Sequence, residues 1–265
     1  MTETVPEPGF GTARHEGESC VESVRRALEA GYRHVDTAQM YGNEREVGEA
    51  IASADLDREE VFVATKVDSP NLAPADVIES TEASLDRLGL DRVDLLYVHW
   101  PFDAYDPAET LPAIDETCER GLTRNVGVSN FTPELLEEAV EILESPILAH
   151  QIELHPRLPQ HELVELGREH GITTVAYCPL IRGEVTEIDT FVELAERHDA
   201  TPAQIAMAWF AAKDDVVPIP KATGDHVEEN LAGYGIELSS EELERIDALE
   251  GGDRLIDPEK AAWNR

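Results

Sequence analysis

Short β-branched and aliphatic runs recur along this chain, separated by stretches in which apolar and charged residues alternate at helical spacing. The runs are GFGT (9–12), RHVDTA (33–38), VFVATK (61–66), VDLLYVH (93–99), RNVGVS (124–129), LAHQIEL (148–154), TTVAYC (173–178) and VVPIP (216–220). Most are apolar on both alternating faces, as strands covered from both sides should be. The intervening stretches carry helix signals. CVESVRRALEAGY is closed by Gly31, and APADVIESTEASLDRLG has proline near its start and ends on Gly89. TPELLEEAVEIL and TPAQIAMAWFAAK each offer a threonine N-cap followed by proline. Alternating strands and helices point to a parallel sheet, and eight strands over this length predict a closed (β/α)8 TIM barrel, typically about 250 residues long. We expect one domain over 1–265, with additional helices at about 188–198 and 239–249. An open doubly wound sheet is the alternative. GFGTAR gives only G-x-G, without the third glycine of a dinucleotide-binding fingerprint.

Charge changes the picture. Fifty-six acidic residues face twenty-one basic ones, a formal net charge of −35. The acid is spread along helical stretches such as EELERIDALE rather than gathered in a tail. Self-repulsion of this size opposes compaction unless salt screens it. The expectation is a halophile's protein that needs molar salt to fold. A nucleic-acid or anionic-membrane partner is excluded, because phosphate binding needs a basic surface. No apolar run approaches the roughly 20 residues of a membrane span, and MTETVPEPGF lacks the pattern of a secretory signal. Three scattered cysteines make no disulfide framework. A cytoplasmic, monomeric protein is expected.

In a barrel of this kind the reactive side chains stand at the C-terminal ends of the strands. Those ends carry Asp36, Lys66, His99, Ser129-Asn130, Gln151, Tyr177 and Lys221, each directly after an apolar run. Singly, each has a structural explanation: a cap, a strand-end lysine, a core histidine. Together they are harder to explain so, since the chain has only four lysines and places one here. His150, Glu153 and His155 resemble a metal set, but 150 lies on the opposite strand face from 153 and 155, so no metal is expected.

The blocks DTAQMYGNEREVG, VATK, VHWP, GVSNF, QIELHP, AYCPL and VVPIPK resemble the successive signatures of the aldo-keto reductases, in that family's order. The short tail DRLIDPEKAAWNR is similar to the prokaryotic branch that includes diketogluconate reductases. The resemblance implies a catalytic tetrad of Asp36, Tyr41, Lys66 and His99. In it Tyr41 gives a proton to the substrate oxygen, Lys66 lowers the phenol's pKa, Asp36 holds Lys66, and His99 orients the carbonyl. It further implies a nicotinamide cofactor bound by Gly11, Thr12, Ser129, Asn130 and Gln151, with Tyr177 against the ring. Cys178, Pro179 and Leu180 would lie along the pyrophosphate, and Glu229 and Asn230 at the adenine. At the 2′-phosphate the family's lysine is kept as Lys221, but Ala222 replaces a hydroxyl residue and His226 an arginine, with Thr223 a substitute hydroxyl. NADP(H) is expected to be preferred, with NAD(H) possible.

Met40, Trp100 and Phe102 are expected to wall the substrate pocket. Ala13 and Asp68 stand where relatives often have tryptophan, which implies a wider, less aromatic site. Small aldehydes, α-dicarbonyls and sugar-derived ketones all fit such a pocket. Two other functions stay open on the sequence: a cofactor-sensing subunit with little turnover, and a barrel hydrolase with Asp36 and Glu153 as its carboxylate pair.

Overall fold

The computed structural model describes residues 4–249, 251–252 and 254–264. The expected unit of 1–265 also includes residues 1–3, 250, 253 and 265, which lie outside the described residues. Eight strands, β1 (Phe10–Gly11), β2 (His34–Asp36), β3 (Phe62–Val67), β4 (Val93–Val98), β5 (Thr123–Ser129), β6 (Ile147–Glu153), β7 (Thr173–Tyr177) and β8 (Val216–Pro218), pair in parallel in chain order. Backbone hydrogen bonds from Gly9 N to Pro218 O (3.0 Å) and from Gly11 N to Pro220 O (3.1 Å) join β1 to β8 and close the barrel. Gly11 permits that closure: a Cβ there would sit 2.8 Å from Ile219 O. The (β/α)8 expectation holds, and the open-sheet alternative fails on this seam.

Helices α1 (Gly17–Ala30), α2 (Glu44–Ser53), α3 (Pro74–Leu88), α4 (Pro107–Glu119), α5 (Pro133–Ile142), α6 (His161–His170), α8 (Pro202–Ala211) and α9 (His226–Gly233) form the outer layer. The two additional helices are α7 (Asp189–His198) and α10 (Ser240–Asp247). The local signals act as read. Gly31 and Gly89 end α1 and α3 in the left-handed region (φ 118° and 67°), where a Cβ is strained. Thr132 and Thr201 accept the N3 backbone N–H of α5 and α8, with proline as the first helical residue of each.

Alternation along the strands divides the core in two. Phe62, Ala64, Leu95, Tyr97, Ala149, Val175, Val217 and Ile219 pack inside the barrel. Val35, Val63, Val67, Leu96, Val98, Val126 and Val128 pack outward against the helices. Period two then fixes the rim of the barrel. Two residues beyond Ala64, Tyr97, Ala149 and Val175 come Lys66, His99, Gln151 and Tyr177, inward and at the C-terminal mouth.

Candidate active site

Asp36 and Lys66 form the centre. Lys66 Nζ donates to Asp36 Oδ1 at 2.5 Å and to Thr37 O at 2.7 Å, with the two side chains 0 % and 2 % exposed. The other carboxylate oxygen accepts Gln151 Nε2 at 2.8 Å, so both oxygens of Asp36 are bound. Tyr41 reaches this pair from a single 3-10 turn, Gln39–Tyr41, which Gly42 ends at φ 66°. Lys66 Nζ lies 5.0 Å from the Tyr41 ring centroid and 5.9 Å from that of Tyr97, so two phenol rings flank the ammonium. The His99 ring meets Tyr41 edge-on, with centroids 5.8 Å apart. All four residues of the expected tetrad therefore meet at one mouth.

The electrostatics follow from burial. Burial alone would depress the Lys66 pKa, but Asp36 and Tyr41 more than offset it, and the ammonium's pKa stands above its ordinary value. Burial pushes the Tyr41 phenol up, Lys66 pulls it down, and Asp36 adds to the rise. The expected lowering by Lys66 is thus present as a contribution, while the net direction is upward. Burial and the Lys66 charge hold His99 well below the usual imidazole range, so its ring is neutral at physiological pH. A neutral imidazole can still donate one N–H to an oxygen.

A second network lies on the adjoining strands. Ser129 Oγ donates to Gln151 O (2.9 Å), and Asn130 Nδ2 donates to His99 O and to Ser129 Oγ, each at 3.0 Å. Tyr177 OH donates to Asn130 Oδ1 at 2.8 Å. Asn130 adopts φ 63°, a conformation asparagine tolerates better than most residues. Cys178 follows at φ 53°, and Arg182 and Arg14 both bear electrostatically on its thiol. Thr12 is buried with its hydroxyl committed to Asp36 O (2.9 Å), so it supports β2 rather than offering a free donor.

Lys221 and Thr223 are exposed and Ala222 is buried. His226 is bound to Glu229 (Nδ1 to Oε2, 2.7 Å), and Arg26 bridges Asp225 and Glu228. Glu229 is therefore engaged with His226, while Asn230 is buried.

On the opposite side Trp100 is buried and stacks on Phe102 (5.5 Å, 28°), while Met40 is 51 % exposed. The sequence reading missed Tyr97, Trp263 and Arg254. Tyr97 could have been found by stepping two residues back from His99. Trp263 packs 5.7 Å from Trp100 from the tail, and no local signal announces that.

The aldo/keto reductase family model matches residues 9–250. The chain belongs to the aldo/keto reductase family. The reductase is 38 % identical over 267 residues to the methylglyoxal reductase DkgB of Salmonella typhi, covering 98 % of this chain and all of that one. It superposes with a TM-score of 0.94 on a crystal structure provisionally named 2,5-diketo-D-gluconic acid reductase B. That match is 36 % identical and covers 97 % of this chain and 92 % of the other. A Bombyx mori aldo-keto reductase solved in complex with NADP gives a TM-score of 0.89 at 30 % identity, covering 97 % and 93 %. The chain is accordingly an NAD(P)H-dependent oxidoreductase acting on carbonyl groups. The carboxylate pair of a barrel hydrolase is absent: Glu153 accepts the backbone N–H groups of Leu255 (2.7 Å) and Ile256 (2.9 Å) and is closed off by the tail. No helix among the described residues is long and apolar enough to cross a membrane.

Proposed function

We propose that this reductase converts small aldehydes, α-dicarbonyls and sugar-derived ketones to alcohols, with Tyr41 as proton donor and NADP(H) preferred over NAD(H). The observation that carries the reading is the 2.5 Å Asp36–Lys66 pair with Tyr41 and His99 gathered around it. A nicotinamide held at the mouth by Ser129, Asn130, Gln151 and Tyr177 would supply the hydride that a carbonyl carbon accepts. The chain's residues do the rest. His99 donates a hydrogen bond to the carbonyl oxygen and sets its direction. Tyr41 O–H gives that oxygen its proton as negative charge develops there. Lys66, kept charged by Asp36, stabilises the phenolate left behind.

The cofactor's fit rests on several features. Asn130 Oδ1, which accepts from Tyr177 OH, has a second lone pair for a carboxamide N–H. Tyr177 presents a ring, Arg14 and Arg182, whose charges bear on Cys178, would face the pyrophosphate, and exposed Lys221 would face the 2′-phosphate. Lys221 supports NADP(H). The acidic residues around His226 weaken that preference, so appreciable use of NAD(H) is expected as well.

We further propose that the enzyme works as a cytoplasmic monomer in a halophile, its acidic surface screened by molar salt. Loss of NADPH absorbance with methylglyoxal in molar KCl tests the activity, and kcat/KM with NADH under the same conditions tests the preference. Tyr41→Phe should abolish turnover while leaving NADPH binding nearly unchanged. A Tyr41→Phe enzyme that turns over at close to the native rate would sink the assignment.

A further inference from the structure

Tyr41 and Lys66 come from separate elements, a 3-10 turn and β3, so their separation is set by whatever joins the two. Gln39 opens that turn, and its side chain reaches both α3 and the end of β3. Nε2 donates to Ser80 O and to Ser84 Oγ on α3, each at 3.1 Å. Oε1 accepts Asp68 N at 3.0 Å and Asn71 Nδ2 at 3.1 Å. A primary amide offers two N–H donors and two carbonyl lone pairs, so this one is fully engaged. Asp68 stands two residues after Lys66, and one bond therefore ties the phenol's turn to the ammonium's strand.

A second path closes a ring. Ser84 Oγ also accepts Arg87 Nη2 at 2.9 Å, and Arg87 Nε donates to Glu44 Oε2 at 2.7 Å. The other oxygen of the buried Glu44 accepts Thr65 Oγ1 at 2.6 Å. Glu44 lies three residues after Tyr41, and Thr65 immediately before Lys66. Strand alternation turns Thr65 outward where Lys66 points in, so the ring runs behind the mouth. Tyr41 is thus held on both sides along the chain, through Gln39 and Glu44, and Lys66 likewise through Thr65 and Asp68.

We propose that Gln39 is a positioning residue for the reduction, setting how far the Tyr41 phenol stands from the Lys66 ammonium. The inference rests on the proton-donor reading of Tyr41 and adds what keeps that donor in place. Attraction between charges weakens with distance, so a turn that drifts outward leaves the phenolate less stabilised as its proton departs. A displacement of about 1 Å caused by a change away from the chemistry can cost about 10²-fold in rate.

Gln39→Met keeps the length of the side chain and removes its hydrogen bonds. It alters none of the titratable groups facing Tyr41: Asp36 on β2, Lys66 on β3, His99 after β4, Tyr177 ending β7 and Cys178 after it. In molar KCl, methylglyoxal reduction should lose about tenfold in kcat, with KM and the NADPH Kd from fluorescence quenching unchanged. The alkaline fall of kcat/KM should move up by about one pH unit, because Lys66 then pulls the phenol down less. Thr201→Ala, which removes the α8 cap, is the control and should lower stability without moving that fall. Ser84→Ala opens the same ring at one hydroxyl and should change kcat and the alkaline fall in the same directions by less, which carries the test if Gln39→Met does not fold. Variants whose kcat and alkaline fall match the wild type overturn the inference. So does a loss of kcat with the alkaline fall unmoved, which is the mark of general loosening. A Tyr41→Phe enzyme that keeps the native rate defeats the proton-donor reading itself, and this inference with it.

Discussion

Lys66 Nζ and Asp36 Oδ1 are 2.5 Å apart at a site where neither side chain is appreciably exposed. Such a pair is stable only as a pair. Removing one partner leaves a buried charge uncompensated, at a cost of about 3–5 kcal/mol. Asp36→Asn should therefore lower the thermal midpoint and, by releasing Lys66 from its place under Tyr41, reduce kcat by roughly 10²-fold. Calorimetry and steady-state kinetics on the same preparation check both effects. A loss of stability without loss of kcat would separate the pair from the chemistry.

On the proposed mechanism, the pH profile of reduction follows the shifts at Tyr41, Lys66 and His99. The acid must be protonated to work, and burial raises the Tyr41 phenol above its ordinary value of about 10. Lys66 is also raised, so it stays charged through the same range, and His99 is neutral well into acid. As pH rises toward the phenol's pKa, the protonated fraction falls and reduction slows. The expected kcat/KM is flat across neutrality with a single alkaline fall, while alcohol oxidation, which needs the phenolate, rises over the same range. A limb near pH 6.5 in reduction, the ordinary imidazole value, would assign the titrating group to histidine instead.

Gly48 sits inside α2, where alanine would ordinarily gain about 1 kcal/mol of helix propensity. The structure reverses the sign. A Cβ at this position would come 2.1 Å from Leu88 O, the last residue of α3, and backbone cannot swing aside as a side chain can. Gly48→Ala should destabilise the fold by about 1–3 kcal/mol, measured by chemical denaturation in high salt. A neutral or stabilising effect would mean that α2 and α3 have room to separate at this contact.

The surface charge makes stability a function of ionic strength. At a net charge of −35, repulsion between exposed carboxylates weakens the compact state. At about 1 M salt the Debye length falls to about 3 Å and little of that repulsion survives. The thermal midpoint should rise steadily with KCl toward molar concentrations, and dialysis to dilute buffer should unfold the chain reversibly. A midpoint independent of salt would show that surface pairs such as Arg26 with Asp225 and Glu228 already balance the load.

By itself the sequence determined the strand order and the barrel, because each rests on local rules, while the tetrad was read from the resemblance of its blocks to the aldo-keto reductases. Period two carries Ala64 to Lys66 and Tyr97 to His99, so an apolar inward face delivers its last residue to the mouth wherever the barrel closes. Threonine, proline and glycine set the helix ends by their own backbone preferences, and those ends fell where they were read.

Tertiary structure decided the partners. Gln151 reaches Asp36 across 115 positions, and Glu153 reaches the backbone of Leu255 across 102. No spacing rule links residues so far apart, and a strand-end carboxylate reads the same on paper whether it holds a proton, a lysine or a tail. Tyr41 shows the same division. Its place beside a lysine was legible, but the direction of its pKa was not, because burial depends on how much of the rest of the molecule lies over the ring. Local chemistry states what a side chain is able to do, and only the folded neighbourhood selects which of those abilities is used.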